Sequence, residues 1–289
     1  MICETISNGY ITLSATQQGA EVISIEQDGR EYLWQKTAPQ WQEQAPILFP
    51  IVGGLEDGFY EYDGKRYDMN THGFARDMKF EIEEKTYTRL SYVLKYNEET
   101  LKVYPFRFEF YVIYELVGHT LKVTFVIKNK GENRLAAAVG HHPGYRCPFL
   151  NGEKMEDYYL EFECSETISR VLRKNGFGIR KLQDYIIDTN ILPLSHDMFK
   201  EAVILKANGK SNWVKLKSDH NNYEIKVDFS EYPYLCLWSS AEPAPFICIE
   251  PWNGLPSNVN EDKDIMKKEH MVYVEPGDRY TISYSVDFR

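Results

Sequence analysis

Alternation of apolar and polar residues with a period of two is the feature that most constrains this chain. It is clearest in five segments: RFEFYVIYEL at 107–116, LKVTFVIK at 121–128, WVKLK at 213–217, YEIKVDF at 223–229 and RYTISYSVDF at 279–288. Because successive side chains of a β-strand point to opposite faces, each segment is predicted to be a half-buried strand. An aromatic content of 14%, mostly from 21 Tyr and 15 Phe, also favours sheet over helix.

The connections between these strands favour an antiparallel arrangement. Asp-Gly pairs at 28–29 and 63–64 separate apolar-alternating segments, which is typical of tight hairpins. Helical patterns are sparse, and short helices are predicted only at 261–270 and in parts of 173–188. We therefore predict an all-β fold, a large antiparallel β-sandwich with few short helices, as a single domain over residues 1–289.

Charge and cysteine content argue against several classes of partner and location. Lys and Arg number 33 and Asp and Glu number 43, which gives a net charge of −10. Nucleic acids and anionic membranes bind basic patches, so we expect neither as a partner. No signal-peptide pattern opens the sequence, and no apolar run approaches the roughly 20 residues of a membrane helix. The 5 cysteines show no CxxC spacing, which indicates reduced thiols in a cytoplasmic protein.

Common motifs for nucleotide, serine-hydrolase and zinc-peptidase chemistry do not occur in the sequence. It lacks GxxxxGK[ST], GxGxxG, GxSxG and HExxH. The 7 histidines lack metal-ligand spacing apart from the adjacent His141 and His142. Neighbouring side chains on a strand point in opposite directions, so this pair is a poor chelate. The sequence therefore predicts neither a metal site nor a cofactor.

Three segments interrupt the strand pattern with polar, titratable side chains. THGFARD places His72 and Arg76 around small and apolar residues. AVGHHPGY at 138–145 ends an apolar strand in two histidines, of which one should face a cleft and the other point away from it. In FICIEPWNGLP, Glu250 follows an apolar run and is expected to be partly buried, as functional carboxylates often are.

Together these segments offer imidazoles, a carboxylate, a guanidinium and aromatic rings, among them Trp238 and Trp252. Sugars suit such a site, because aromatic faces cover the apolar side of the ring while polar groups bind its hydroxyls. A carboxylate and an imidazole can also move protons near neutral pH. Taken singly, each segment could instead be structural, as an exposed arginine, a hydrogen-bonded histidine or a strand-end glutamate.

The same segments resemble the aldose 1-epimerase, or mutarotase, family, and most closely its LacX-like branch. The matching motifs are HGFAR at 72–76, GHHP at 140–143 and CIEPWNGLPS at 248–257, with GAEVISI, EYLW, FPIVGGL and YLCLW in the family's order. The resemblance implies a large antiparallel sandwich with a shallow sugar cleft. It also implies interconversion of the α and β anomers of an aldose without metal or cofactor.

The resemblance further implies roles for individual residues. Glu250 matches the catalytic base, His142 the catalytic acid and His72 a second cleft histidine that binds the sugar. Arg76 matches the arginine of this branch's HGFAR motif and is a candidate for sugar binding. Trp238 is a further candidate for sugar binding. The stretch IVGGLEDG lacks the arginine that galactose mutarotases carry upstream of the first histidine, so galactose is not implied as the substrate.

Other functions stay open at this point. A hexose-6-phosphate 1-epimerase would need a cationic pocket, for which Arg76, Lys65 and Arg66 are candidates. A non-catalytic sugar-binding or sugar-sensing protein could use the same fold, although Glu250 and His142 together favour catalysis. A glycoside hydrolase would need a second carboxylate opposite Glu250, which nothing in the sequence places there. Exposed edge strands permit a homodimer without predicting one.

Overall fold

The computed structural model describes residues 3–206 and 209–289, and antiparallel strands dominate them. The strands are β1 (Cys3–Ser7), β2 (Ile11–Thr16), β3 (Val22–Gln27), β4 (Arg30–Glu31), β5 (Ile47–Leu48), β6 (Phe59–Tyr62), β7 (Lys65–Asp68), β8 (Glu81–Lys85), β9 (Arg89–Lys95), β10 (Phe108–Val117), β11 (Thr120–Asn129), β12 (Leu135–Ala137), β13 (Gly140–His141), β14 (Gly144–Arg146), β15 (Tyr158–Lys174), β16 (Phe177–Pro193), β17 (Val203–Lys206), β18 (Trp213–Ser218), β19 (Glu224–Asp228), β20 (Tyr234–Trp238), β21 (Phe246–Trp252), β22 (Val272–Val274) and β23 (Arg279–Phe288). The described residues also contain a short helix, α1 (Glu98–Val103), and 3₁₀ turns at Glu56–Gly58, Ala75–Asp77, Met155–Asp157 and His196–Lys200.

The five alternating segments all form strands, as predicted: they are β10, β11, β18, β19 and β23. In β10 every second side chain is buried from Phe108 to Leu116, and those between are only half-buried. Both Asp-Gly hairpins also form, and Asp63 and Gly64 have positive φ angles of 50° and 67°. Two positive φ angles are the geometry of the turn that matches the twist of paired strands.

Both helical predictions are wrong. Residues 177–193 form β16, which pairs with β15 in a long hairpin arm whose register shifts at several bulges. The bulges break the period of two, so the sequence loses its strand pattern there. Residues 261–270 form turns, in which buried Glu261 accepts hydrogen bonds from the backbone N–H groups of Asn258 and Glu269.

One large sheet and a smaller four-stranded sheet build the sandwich. The large sheet runs in the order β5-β13-β21-β20-β17-β15-β18-β19-β23-β11-β10-β9-β8, and the small one in the order β1-β2-β3-β4. Tyr92 and Tyr114 of the large sheet donate hydroxyl hydrogen bonds to the carbonyls of Ala15 and Ala20 at 3.2 and 2.7 Å. The small sheet therefore packs on the part of the large sheet formed by β9 and β10. The predicted antiparallel sandwich is confirmed.

Aromatic rings fill the core on the inner face of β10 and β11. Phe49 and Phe110 stack with ring centroids 4.2 Å apart, and Phe125 follows 6.0 Å from Phe110. These side chains are fully buried, which fixes the strands that lead to the site described below. Among the described residues, no helix combines the length and the apolar character that crossing a membrane requires.

Candidate active site

Strand β21 forms the floor of the site. Its alternate residues Cys248, Glu250 and Trp252 share one face, because strand side chains repeat with a period of two. The neighbouring strand β20 places Cys236 opposite Glu250 and Trp238 opposite Cys248. A carboxyl, two thiols and two indole rings therefore lie together on one face of two paired strands.

Strands β13 and β14 place His142 on the other side of Glu250. They pair Gly140 and Gly144 with the residues two positions after and two positions before Glu250 on β21. His142 is midway between these glycines, so it lies directly across from the carboxyl. The distance from His142 Nε2 to Glu250 Oε2 is 3.4 Å. The register thus joins the predicted acid and the predicted base, which are more than a hundred residues apart in sequence.

The two glycines beside His142 make room for indole rings. A Cβ atom on Gly140 would lie 2.8 Å from Cδ1 of Trp252, and one on Gly144 would lie 2.5 Å from Cζ3 of Trp41. Both distances are below any tolerable carbon–carbon contact. The ring of Trp41 then packs 5.1 Å from the imidazole of His142, measured between centroids. Glycine is required at both positions for these rings to border the pair formed by Glu250 and His142.

His141 points to the opposite face of the strand, as predicted for one of the two adjacent histidines. Its Nε2 donates to the carbonyl of Ala45 at 3.0 Å, and its Nδ1 accepts from the hydroxyl of Tyr284. This is the neutral tautomer with both ring nitrogens satisfied. Burial lowers the pKa of His141 to about 3. His141 is therefore a structural histidine, and its neighbour is the one that faces the cleft.

His72 reaches the cleft from the loop that follows β7. Its backbone has a φ of 69°, an uncommon left-handed conformation for a non-glycine residue. Nδ1 accepts a hydrogen bond from the N–H of Gly53 at 3.0 Å, so the ring hydrogen is on Nε2. Burial, with a contribution from the positive charge of Arg76, lowers the pKa of His72 to about 3. His72 is thus a neutral donor whose Nε2–H has no acceptor among the described residues.

Burial controls the protonation of Glu250 and His142. Glu250 is 0% exposed, and burial raises the pKa of its carboxyl well above the usual range, although Trp252 Nε1 donates to Oε2 at 3.1 Å. Burial, together with the nearby His72, holds the pKa of His142 well below its usual value. Both groups therefore favour neutral forms at rest, and His142 Nε2 lies 3.4 Å from Glu250 Oε2. Oε1 of Glu250 has no hydrogen-bond partner among the described residues.

A cavity of about 400 Å³ opens above this floor. Its walls are the loop with Thr71 and His72, the glycines at 53–54, and the tip of the β15–β16 hairpin at 173–177. Trp238 and Trp252 also line it. The volume lies within the roughly 300–1,000 Å³ typical of small-ligand sites. Four of the five predicted site residues therefore border one cavity: Glu250, His142, His72 and Trp238.

Arg76 is the predicted site residue that does not line the cavity. Its guanidinium contacts Glu43 at 3.3 Å and donates to the carbonyl of Thr71 at 3.2 Å. Thr71 itself lines the cavity. Arg76 thus supports the loop that presents His72, and direct contact of Arg76 with a sugar stays a prediction.

Arg173 is a cavity residue that the sequence analysis missed. It lies near the end of β15, and its Nη2 donates to the carbonyl of Ala202 at 2.5 Å. No carboxylate of the described residues forms a salt bridge with it, and its charge acts on the neighbouring thiol of Cys236. It belongs to no local motif, and it lies in the arm where bulges hide the strand pattern. No sequence signal that we used could have found it.

The fold has close counterparts among solved structures. A galactose mutarotase related enzyme from Lactobacillus acidophilus matches with a TM-score of 0.96 and 35% identity, over 100% of this chain and 97% of that chain. A galactose mutarotase-like protein from Lactobacillus casei matches with a TM-score of 0.93 and 31% identity, over 100% of both chains. The sandwich is therefore of the galactose mutarotase-like type.

Sequence comparison agrees with the fold. The family described as aldose 1-epimerase matches residues 3–272. Protein LacX (plasmid) of Lactococcus lactis subsp. lactis is 34% identical over an alignment of 291 positions that covers 97% of this chain and 97% of LacX. This chain belongs to the aldose 1-epimerase family, and the resemblance to its LacX-like branch is confirmed.

Proposed function

We propose that this protein is an aldose 1-epimerase that interconverts the α and β anomers of a hexose. The observation that carries this proposal is the pair of proton-carrying groups, Glu250 and His142, 3.4 Å apart on the floor of a cavity of about 400 Å³. Ring opening of a pyranose requires one proton to leave the anomeric hydroxyl and another to reach the ring oxygen. An acid and a base on the same floor can serve both positions.

In the reactive form, the carboxyl proton of Glu250 has moved to His142 Nε2, which leaves a free carboxylate beside an imidazolium. Glu250 Oε1, which has no protein partner among the described residues, accepts the proton of the anomeric hydroxyl. His142 donates its proton to the ring oxygen as the bond from that oxygen to the anomeric carbon breaks, and a carbonyl forms. Rotation about the adjacent carbon–carbon bond presents the other carbonyl face. Reclosure with both transfers reversed restores Glu250 and His142 and yields the other anomer.

Other cavity residues hold the sugar in this proposal. The Nε2–H of His72 donates to a hydroxyl, and the ring of Trp238 covers an apolar face of the pyranose. Arg173 donates to oxygen atoms of the ligand with the hydrogens that Ala202 leaves free. Arg76 positions the loop that carries His72, because its guanidinium donates a hydrogen bond to the carbonyl of Thr71. Acid–base assistance of this kind contributes typically 10²- to 10⁴-fold, and orientation adds to it.

A specific observation also favours a second candidate, a hexose-6-phosphate 1-epimerase. Arg173 lines the cavity without a carboxylate partner among the described residues, and a guanidinium fork suits phosphate oxygens. The candidates at 65–66 lie on an exposed hairpin strand, and Arg66 is engaged by Asp68 at 2.8 Å. Among the described residues that line the cavity, Arg173 would therefore supply the positive charge for a phosphate.

The test is polarimetry of freshly dissolved single anomers of glucose, galactose and their 6-phosphates, with the buffer rate subtracted. We expect decay well above the buffer rate for at least one sugar, and a preference for phosphates would select the second candidate. His142→Asn is the matched variant, because it keeps a polar side chain opposite Glu250 but removes the proton donor. Sugar binding by calorimetry with decay at the buffer rate would overturn both enzymatic candidates in favour of a binding protein.

A further inference from the structure

The register that builds the catalytic pair also brings a thiol to it. A ring nitrogen of His142, Cys248 Sγ and a carboxylate oxygen of Glu250 all lie within 4.8 Å of one another. Cys248 precedes Glu250 by two residues on the same face of β21, and His142 lies across from Glu250. Imidazole, thiolate and carboxylate are the ligand types that bind Zn²⁺ in proteins.

The donor atoms are close to the spacing that a single ion needs. Zinc bonds of about 2.0–2.3 Å in tetrahedral geometry place neighbouring ligand atoms about 3.3–3.8 Å apart. The Nε2 to Oε2 distance of 3.4 Å between His142 and Glu250 already fits. Cys248 then needs to approach by no more than about 1 Å, which a side-chain torsion supplies. The Glu250 atom at this distance is Oε2, which accepts from Trp252 Nε1 at 3.1 Å and keeps a further lone pair for the ion, so that hydrogen bond need not be lost.

Charge balance favours the ion in this buried place. A divalent cation with one thiolate, one carboxylate and one neutral imidazole forms a neutral group, which low-dielectric surroundings tolerate. Binding releases the thiol proton and the carboxyl proton to solvent and forms three metal–ligand bonds. The fourth coordination position faces the cavity, since His142 and Glu250 line it, and water or a sugar hydroxyl can occupy it.

We propose that His142, Cys248 and Glu250 form a binding site for a borderline-soft divalent cation, for which Zn²⁺ and Co²⁺ are the probes, and that its occupancy blocks catalysis. The ion is not a cofactor in this proposal. It binds the lone pairs of Glu250 and His142 that proton transfer needs, so metal binding and turnover are mutually exclusive. Hard cations such as Mg²⁺ prefer oxygen ligands and are expected to have no effect. This inference goes beyond the proposed function, because binding requires no sugar and no turnover.

The first experiment is a Co²⁺ titration of the full chain, followed by absorption spectroscopy and by competition with Zn²⁺. We expect a thiolate-to-cobalt charge-transfer band and the visible bands of a four-coordinate ion, both abolished by Zn²⁺. Because this readout needs no variant, it tests the site even if substitutions impair folding. A spectrum of six-coordinate cobalt without a sulfur ligand, or no binding with Co²⁺ in large excess, would overturn the proposal.

Cysteine variants then assign the ligand. Cys248→Ala is expected to weaken binding by at least about 100-fold, because it removes a direct ligand. Cys147→Ala is the matched control: Cys147 is equally buried and unpaired but lies outside the cleft, so binding should be unchanged. Loss of the sulfur band in Cys236→Ala but not in Cys248→Ala would refute the assignment to Cys248. Circular dichroism of each variant shows whether it folds. If Cys248→Ala does not fold, Cys248→Ser takes its place.

Inhibition separates this inference from the proposed function. If the protein has mutarotase activity, Zn²⁺ should abolish it, EDTA should restore it, and Mg²⁺ should leave it unchanged. A protein that binds Co²⁺ through sulfur but has no activity would support the metal site and refute the enzymatic function. An active enzyme that neither binds Co²⁺ nor responds to Zn²⁺ would support the enzymatic function and refute the metal site.

Discussion

Glu250→Gln is the perturbation that most directly tests the proposed chemistry. The amide has nearly the same shape, and its oxygen can still accept the 3.1 Å hydrogen bond from Trp252 Nε1. It cannot accept the anomeric proton, so the acid–base contribution of about 10²- to 10⁴-fold should disappear. At about 1.4 kcal/mol for each factor of ten, this is a loss of about 3–6 kcal/mol of transition-state stabilisation.

The effect on folding should be much smaller. The carboxyl of Glu250 already favours its neutral form because it is fully buried, so the substitution removes no stabilising charge. An amide N–H takes the place of Oε1, which has no partner among the described residues. An unsatisfied N–H there costs about 1–3 kcal/mol, which lowers the melting temperature without unfolding the protein.

The assay combines polarimetric decay of a pure anomer with calorimetric binding of the same sugar. We expect activity near the buffer rate and a sugar affinity close to that of the unaltered protein. The double variant Glu250→Gln with His142→Asn should be hardly slower than either single variant, because two groups that act as a unit give non-additive losses. Turnover within tenfold of the unaltered protein would refute the role of Glu250 as base.

Three further perturbations test parts of the site and its support. Arg173→Met keeps the aliphatic stem but removes the charged donor, so KM should rise about tenfold or more with a smaller change in kcat, as steady-state kinetics would show. Gly140→Ala places a Cβ atom 2.8 Å from the ring of Trp252 and should cost about 1–3 kcal/mol in urea unfolding, whereas Gly131→Ala, with its nearest contact at 3.4 Å, should cost less. His141→Gln tests acid stability. The pKa of His141 is about 3 when folded and about 6.5 when unfolded, so the unfolded chain binds more protons between these values and stability falls as the pH drops through this window. At about pH 5 this amounts to about 2 kcal/mol, and melting curves should show that much less acid destabilisation in the variant than in the unaltered protein.

The strands that the sequence predicts are those whose pairing is regular. In β10 and β23 the period of two is unbroken, and the predicted bounds agree with the observed ones to within one residue. In β16 the bulges in its pairing with β15 shift side chains between faces, so no period survives in the sequence. Alternation is a local property of a strand, whereas a bulge depends on the partner strand.

The same distinction explains the site residues. Glu250 and His142 are recognisable because each follows a run of apolar residues in the sequence and belongs to a family motif, and the fold brings them together. Arg173 enters the cavity only because the hairpin arm folds over it, which no local pattern indicates. Arg76 is in a motif, yet Glu43, from a distant loop, binds its guanidinium. A motif identifies a side chain but not its partner.

His141 explains why the register of the catalytic pair is fixed. A slip of one residue between β13 and β21 would turn His142 away from Glu250 and point His141 into the cleft. It would also leave the carbonyl of Ala45 and the hydroxyl of Tyr284, which His141 now satisfies, without their partner in the interior. Each lost hydrogen bond of this kind costs about 1–3 kcal/mol, a large part of the stability of an ordinary domain. The structural histidine thus selects which of the two adjacent imidazoles faces Glu250, the position that the proposed acid needs.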